Sequence, residues 1–542
     1  MTRPRATRAR LALAAVLLAV VAGVAAAVAV TGGPSEPAPA TGAAAVVPAD
    51  ALAYVHLSTD GSRPAVKRAL ALAAQFPDLP LLAERLASRL RLIAPGGALS
   101  FAAGVRPWLG KEAAVALLNT AASTAAALVV LDVAHTAEAH AFLARAGIAR
   151  AGAYRGVSLF GKPTGTELAF VSHYLVVGQD ASVRAAIDVT NGRAPSLAAN
   201  QAYQRAAATE PDGRVLDAYA SAVGVRRLLI DRGGLLGALG VLLYNPALSG
   251  VALSLDATPP GAQLTIHTVL DPGLVQIGSR ASAASFTPTL AGHLPASSTL
   301  ALDVTDLARV APRVLDAGAT AGIAGGIGPL LSRLGAALRA QGVNVTQIEQ
   351  LFSGETAIAL AGGVGSGSNG GAPALVIVAR TRNQAATVSE LAQLEVPLAQ
   401  LLSSVSSSAN PGVIPSFTQR QIDGVTAHQL PIAPGLELDY AVFRGLVVVS
   451  TSLGGIGAVA STRDTLAASP AYRATLSARP SRVTSLLFLD FSQLLSLGEQ
   501  TGLTRGAAFR ALQADLAKVR AVGLVSTGGE NDSTAELTLQ IK

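Results

Sequence analysis

Residues 196–205, SLAANQAYQR, return in the second half of the chain as residues 465–473, TLAASPAYR. Both stretches run from a hydroxyl residue through Leu-Ala-Ala to an Ala-Tyr pair. A match of this length within one chain indicates an internal duplication, and a missed repeat would misassign the whole fold. We therefore predict the fold from two copies of one unit.

Further pairs of matching stretches lie on both sides of this motif, in the same order. Residues 48–57, PADALAYVHL, match residues 295–304, PASSTLALDV, and each reads as a proline-led turn that feeds a strand. The other pairs are 108–112 with 351–355, 127–131 with 374–378, 156–158 with 424–426, 174–178 with 445–449, 250–255 with 523–526, and 262–267 with 535–540. So many landmarks in one order favour a complete duplication.

The matching stretches predict an α+β fold class with two duplicated lobes, each a mainly antiparallel sheet with packed helices, after one N-terminal transmembrane helix. Short strands of Val, Leu and Ile between glycine or polar turns are typical of antiparallel sheets with helices on one face. The predicted segments are a basic cytoplasmic tail (1–10), a transmembrane signal anchor (11–30), a flexible linker (31–47), the first repeat (48–272), a connector (273–294) and the second repeat (295–542).

The anchor is predicted from Leu11 to Val30, which carries no charged or polar side chain and is long enough to cross a bilayer as a helix. Four arginines precede it, and basic residues stay on the cytoplasmic side of a membrane. The rest of the chain is therefore expected outside the cytoplasm. A signal peptide cleaved near Ala25 to Ala27 is the alternative, although its apolar core would be unusually long.

Three features of the chain resemble domain-of-unknown-function family 3352, a set of bacterial envelope proteins. They are the proline-led first strands at Pro48 and Pro295, the Gly178-Gln179-Asp180 turn before a helix, and the Leu-Ala-x-x-x-Ala-Tyr element at Leu197 and Leu466. The resemblance implies an exported, membrane-anchored protein and supplies no catalytic residues. The second half has Ser450-Thr451 where the first has Gln179-Asp180, so a site on that turn could exist only once.

Composition excludes several classes of function. The chain of 542 residues has no cysteine, which excludes disulfides, thiolate metal sites and a cysteine nucleophile. Four of its seven net positive charges lie in the N-terminal tail, and aromatic residues make up only 4%. Nucleic-acid binding needs a basic surface with stacking aromatics, so nucleic acid is not expected as a partner.

No arrangement of residues predicts a catalytic, cofactor or metal site. His135 and His140, near Asp132 and Glu138, are five residues apart and would point away from each other on a helix. The glycines at 365, 367 and 370 match a dinucleotide fingerprint, but they lie in a Gly-Ser-Asn loop before a strand. Four acids at predicted strand ends are interpreted as turn caps: Asp60, Asp256, Asp303 and Asp490.

The sequence thus favours a non-enzymatic envelope protein that binds another envelope component or a second copy of itself, with no cofactor. The alternative is a carrier that holds a lipid or other apolar ligand between sheet and helices. Residues 79–93 add a stripe of leucines beside arginines, which fits a helix packed on its sheet or, alternatively, a helix lying on lipid headgroups.

Overall fold

The computed structural model divides the chain into two compact units, which contain strands β1 to β10 and β11 to β20. It describes residues 38–76, 104–118, 126–161, 166–230, 243, 245–258, 261–275, 284–310, 339, 345–363, 373–409, 416–433, 436–461, 463–501 and 513–542. The predicted anchor, the leucine and arginine stripe and the glycine loop at 365–370 lie outside these residues. Within them, no helix is both long and apolar enough to cross a membrane.

The strands of the first unit form one antiparallel sheet. They are β1 (Ala53–Ser58), β2 (Leu109–Leu118), β3 (Ala126–Val133), β4 (Arg150–Tyr154), β5 (Val157–Gly161), β6 (Thr166–Val171), β7 (Tyr174–Gln179), β8 (Arg214–Ser221), β9 (Leu248–Thr258) and β10 (Gly261–Leu270). Hydrogen-bonded pairs give the order β4-β5-β6-β7-β3-β2-β1-β8-β9-β10, and each of these pairs is antiparallel.

The second unit repeats this arrangement strand for strand. Its strands are β11 (Ser298–Thr305), β12 (Glu355–Ala361), β13 (Ala374–Arg380), β14 (Thr418–Ile422), β15 (Val425–Ala433), β16 (Leu436–Phe443), β17 (Leu446–Ser450), β18 (Ser485–Asp490), β19 (Val519–Gly528) and β20 (Asp532–Ile541). Their order is β14-β15-β16-β17-β13-β12-β11-β18-β19-β20, again antiparallel throughout. The shared order confirms the predicted α+β fold and agrees with a duplication.

Helices connect and cover these strands. They are α1 (Pro64–Ala73), α2 (Thr136–Arg145), α3 (Asp180–Thr190), α4 (Gln201–Ala207), α5 (Ala222–Val225), α6 (Val345–Leu351), α7 (Gln384–Ala409), α8 (Leu453–Ala460), α9 (Pro470–Leu476), α10 (Phe491–Thr501) and α11 (Gln513–Leu516). The repeated motif is the capped start of α4 and α9. Asn200 accepts hydrogen bonds from the backbone N–H groups of Ala202 and Tyr203, and Ser469 accepts one from Tyr472.

Helices lie on both faces of each sheet, so the prediction of helices on one face is wrong. In the first unit, Val176 packs in the cluster that contains Ile187 of α3, while Leu175 and Val177 pack with Leu143 of α2. In the second unit, Val448 packs in the cluster that contains Ile456 of α8, while Val447 packs with Leu391 of α7. A strand with consecutive apolar residues buries both of its faces, and such strands need a cover on each side.

Each unit begins earlier than the sequence pattern predicted. We call residues 38–47 and 284–294 the leading segments of the two units. Ala43, Ala44, Val46 and Val47 are at most 4% exposed, so the end of the predicted flexible linker belongs to the first core. Residues of the predicted connector are also buried, in the second core: Phe286, Leu290, Ala291 and Leu294. Apolar side chains in both segments explain why they pack instead of remaining solvated.

Both leading segments bind the repeated motif in the same way. The backbone N–H of Leu197 donates to the carbonyl of Val47 over 2.7 Å, and that of Leu466 donates to Leu294 over 2.8 Å. Pro48 and Pro295 then form isolated bridges to Ser196 and Thr465. The proline-led element and the motif, far apart in sequence, are therefore one structural feature present twice.

Parts of the predicted alignment are wrong by one residue. Val129 pairs with Val115 as Ile377 pairs with Ile358, so Val129 corresponds to Ile377 and not to Val376. Tyr174 pairs with Val171 directly after the β6–β7 turn, and Leu446 takes the same position opposite Phe443. Tyr174 therefore corresponds to Leu446, not to Gly445, and Thr451-Ser452 stand where the first half has Gln179-Asp180. The valines that follow in β7 and β17 are too alike to fix the alignment of the two strands. The two-residue turn before β17 fixes it instead.

Candidate functional site

The first unit buries a cluster of ionisable side chains in the middle of its sheet. His56 lies on the central strand β1, directly opposite Ala114 of β2 and Asp217 of β8. Directly opposed residues in antiparallel strands point to the same face, so His56 and Asp217 are neighbours by register. Tyr54 and Ser58 flank His56 on this face because side chains alternate along a strand.

His56 contacts two carboxylates. Its Nδ1 lies 2.8 Å from Oδ1 of Asp217, and its Nε2 lies 3.3 Å from Oε2 of Glu112. The three residues are 1%, 2% and 3% exposed. Charged groups are seldom buried without partners, because leaving water costs several kcal/mol per ion. The three side chains therefore stabilise one another inside the sheet.

The cluster continues along β8 through Arg214. Its Nε lies 3.2 Å from Oδ1 of Asp217 and 3.1 Å from Oε2 of Glu210. Asp217 is thus shared between an imidazole and a guanidinium group. We call His56, Glu112, Glu210, Arg214 and Asp217 the buried charge cluster.

The surroundings shift the pKa values of this cluster in identifiable directions. Burial lowers the pKa of His56, but Asp217 and then Glu112 outweigh it and raise the pKa to about 9. Burial, followed by the charge of Asp217, raises the pKa of Glu210 to about 8 although Arg214 opposes it. Burial also acts to raise the pKa of Glu112, but hydrogen bonds from His56, Tyr174 and the N–H of Ala43 keep it below its usual value. At neutral pH the imidazole is therefore a cation.

The second unit has strand positions equivalent to those of His56 and Asp217, but different residues occupy them. By register Asp303 takes the place of His56, because it pairs with Ala357 of β12 and Leu486 of β18. Leu486 thereby replaces Asp217. Burial, and then the charge of Glu355, raises the pKa of Asp303 to about 8, so its carboxyl group is neutral at pH 7. The buried charge cluster belongs to one half of the duplication.

The position of Asp303 contradicts its interpretation as a turn cap. It was expected to cap a turn, yet it lies inside β11 and is 4% exposed. Asp256 likewise lies inside β9. Asp60 does cap a turn, since its Oδ1 accepts the backbone N–H of Ser62 over 2.9 Å, and Asp490 accepts that of Gln493 over 3.1 Å. The turn interpretation is confirmed for these last two only.

His135 and His140 were not expected to form a metal site. His135 stands just before α2, and His140 lies on this helix with its ring 4.3 Å from that of Phe170. Both are exposed. In the parts of the chain that the structure describes, no group of three or more His, Asp or Glu side chains is arranged so that it could hold a metal ion.

A second cluster, partly exposed, lies on the α7 side of the second unit. Oε1 of Glu395 accepts a hydrogen bond from the hydroxyl of Tyr440 over 2.6 Å and lies 2.6 Å from Nδ1 of His428. The rings of His428 and Tyr440 are directly opposed on neighbouring strands and stack with centroids 4.6 Å apart. Glu395 thereby fixes two rings against the helix, which is a packing role.

Each unit also buries an acid beneath the helix that follows its hairpin. Glu167 on β6 and Asp439 on β16 occupy the same position, opposite Gly178 and Ser450. Burial, and then Asp180, raises the pKa of Glu167. Burial, and then Glu437, raises the pKa of Asp439 to about 8. A buried acid whose pKa is raised is thus a feature of both units.

Sequence reasoning missed the residues of the buried charge cluster. Their signal was a polar residue at an inward position of an apolar strand, as with His56 in AYVHLS and Asp217 in RVLDAYAS. Such a residue needs a partner, but its identity depends on strand order. The partners lie on β2 and β8, far from β1 in sequence.

The fold and these clusters define a class of protein: an α+β protein of two units with the same strand order, in which the described residues of the first unit include a group of charges closed to solvent. The family model for "Protein of unknown function (DUF3352)" matches residues 11–542, and the chain belongs to this family. The resemblance seen in the sequence is therefore confirmed. No curated protein matches the chain.

Solved structures offer only distant likenesses. Crystal forms I, III and IV of the treponemal protein TP0453 match with 11%, 12% and 14% sequence identity. They cover 46%, 44% and 44% of this chain and 89%, 84% and 88% of that chain, with TM-scores of 0.26, 0.24 and 0.24. At TM-scores this low, the likeness carries no argument about fold or function.

Proposed function

We propose that this protein is a membrane-anchored, extracytoplasmic module that binds or supports another component of the cell envelope and is not an enzyme. The observation that carries the proposal is the uncharged apolar run from Leu11 to Val30 behind four arginines. This run supports a location of the two folded units outside the cytoplasm.

The buried charge cluster supports a non-enzymatic role, because its side chains are closed to solvent. A catalytic group must contact its substrate, and His56, Asp217 and Glu112 are each at most 3% exposed. Each of these side chains is also engaged by another member of the cluster. Their arrangement fits the stabilisation of a sheet better than the turnover of a ligand.

The anchor is tested by charged substitutions in its centre. Leu18→Arg combined with Val21→Arg is expected to release the protein from membranes washed with alkaline carbonate, because each central arginine costs about 3 kcal/mol in a bilayer. Leu18→Ile combined with Val21→Leu is the matched control and keeps the protein in the membrane. A parent protein that washes off the membrane at its full mass contradicts the anchor.

Two further measurements separate the alternatives. A reporter that is active only outside the cytoplasm, fused after Lys542, is expected to be active; activity of a cytosolic reporter alone contradicts the orientation. The intact mass distinguishes a retained anchor from a signal peptide cleaved near Ala25 to Ala27. Native mass spectrometry of the extracted protein then separates the two kinds of partner: bound lipid favours a carrier, and a bound protein or second copy favours the proposed module.

A further inference from the structure

Two glutamates, one in each unit, occupy equivalent positions opposite the last residue of the central strand. Glu112 of β2 lies opposite Ser58 of β1, and Glu355 of β12 lies opposite Thr305 of β11. Their side chains are 3% and 8% exposed. Both reach the leading segment of their own unit, which passes next to the sheet.

Glu112 binds the first leading segment through a backbone group. Its Oε2 accepts the N–H of Ala43 over 3.2 Å, and its Oε1 accepts the hydroxyl of Tyr174 over 2.6 Å. Ala43 lies in a short 3₁₀ helix, Gly42–Ala45, and is fully buried. His56 contacts Oε2 of this carboxylate as well, so three groups together hold Glu112 in its orientation.

Glu355 makes the corresponding contacts in the second unit. Its Oε1 accepts the N–H of Leu290 over 2.8 Å and also that of Thr289, whose hydroxyl donates to Oε2 over 2.6 Å. Leu290 begins the short 3₁₀ helix Leu290–Gly292. Nε of Arg380 lies 3.1 Å from the same Oε2. The partner that braces the carboxylate differs, but the bound backbone group is the same.

We propose that Glu112 and Glu355 are clamps: positioning residues that hold the leading segment of each unit against its sheet. A 3₁₀ helix of three or four residues has almost no stability of its own, and its first N–H groups lack partners within the helix. A buried carboxylate supplies those partners through charge-assisted hydrogen bonds, which are about twice as strong as neutral ones. The two units share this contact, but the charged groups around the carboxylate differ between them.

In the first unit the clamp also holds Ala43, a residue close to the proposed anchor in sequence, against the sheet. This step rests on the proposed function, because it needs the anchor at residues 11–30. The twelve residues between Val30 and Ala43 span at most about 40 Å when fully extended. Glu112 thereby limits how far the first unit can move from the membrane, whereas an open clamp would lengthen the tether.

Thiol labelling of the full chain tests the clamps site by site, since the natural sequence has no cysteine. Ala44→Cys and Ala291→Cys place one thiol in each leading segment, at positions that are 1% and 8% exposed. Adding Glu112→Ala is expected to speed maleimide labelling at position 44 roughly ten- to hundredfold and to leave position 291 unchanged. Glu355→Ala is expected to do the reverse, and Glu112→Gln, which keeps an acceptor, to give an intermediate rate.

A probe in the sheet separates clamp opening from unfolding. Ala252→Cys on β9 is 2% exposed and should stay protected in the Glu112→Ala background. Equal acceleration at positions 44 and 252 would show that Glu112 supports the whole unit, and unchanged labelling at position 44 would show that it holds nothing; either result overturns the clamp. Labelling does not depend on whether the anchor is retained, so failure of the anchor remains a separate result.

Discussion

Replacing Asp217 with alanine is expected to destabilise the first unit by about 3–5 kcal/mol, which is typical when one partner of a buried ion pair is removed. Asp217 lies between His56 and Arg214, at 2.8 Å and 3.2 Å. Its loss leaves two buried cations without their shared carboxylate. Urea denaturation followed by the fluorescence of Trp108 measures the effect, because this is the only tryptophan and it is buried in the first unit.

The matched control is another aspartate of the same unit that is paired at the surface. Asp188 lies 2.7 Å from Nε of Arg155 with 26% of its side chain exposed, and Asp188→Ala is expected to cost under about 1 kcal/mol. If the two alanine variants lose equal stability, the buried charge cluster does not stabilise the sheet.

A combined variant tests the cause of the loss. His56→Leu, Arg214→Val and Asp217→Leu together remove both cations and the carboxylate between them, and the second unit already has Leu486 in place of Asp217. Replacing buried ionic partners together by apolar residues is often neutral or stabilising. Glu112 and Glu210 remain in this variant and each loses one cationic partner, but Glu112 keeps its hydrogen bonds from Tyr174 and the N–H of Ala43. The combined variant is therefore expected to be more stable than Asp217→Ala alone, and a greater loss would contradict this account.

Rising pH is expected to destabilise both units between about pH 5 and pH 9. Folding raises the pKa of His56 to about 9, and that of Glu210, Asp303 and Asp439 to about 8. For each group the folded state binds its proton more tightly than the unfolded state. Its contribution is complete below the unfolded pKa and is lost as pH rises through the folded pKa. Together the four groups predict a loss of several kcal/mol.

Calorimetry at pH 5, 7 and 9 measures this loss as a falling Tm. Glu112 and Asp60 act in the opposite sense, since folding lowers the pKa of both carboxyls, and their contribution is lost only as pH falls through those lowered values. Asp303→Asn with Asp439→Asn should flatten the pH dependence of the second unit, because an amide does not titrate. A Tm that rises from pH 5 to pH 9 in the parent protein would contradict the assigned directions.

The strands were predictable because their signal is local. Val, Leu and Ile runs between turns gave positions for both closing hairpins, and β9, β10, β19 and β20 contain the predicted stretches. The alignment failed where successive apolar residues offered no landmark, in β3 and β13 and again in β7 and β17. The prediction that helices cover only one face of each sheet failed because Ala and Val occur both in strands with one buried face and in strands with two. Composition therefore could not tell whether helices pack on one face or on both.

The candidate site was much less predictable than the strands. His56 was visible as a lone histidine, and Glu112 as part of a repeated stretch, but nothing in the sequence joined them to Asp217. The leading segments were mistaken for a linker and a connector because Pro, Gly and Ala are common in flexible chain. In these segments Ala43 and Leu290 each donate a backbone N–H to a distant glutamate, and the carbonyls of Val47 and Leu294 accept from the distant repeated motif.

By itself the sequence determined the pairs of matching stretches, the strand positions and the apolar run at the start of the chain, because each of these is written in neighbouring residues. Only the tertiary structure decided which charges meet, which faces are covered and where each unit begins. The physical reason is register: pairing between strands 50 to 160 residues apart brings His56, Glu112 and Asp217 into contact, and no local pattern specifies such pairing.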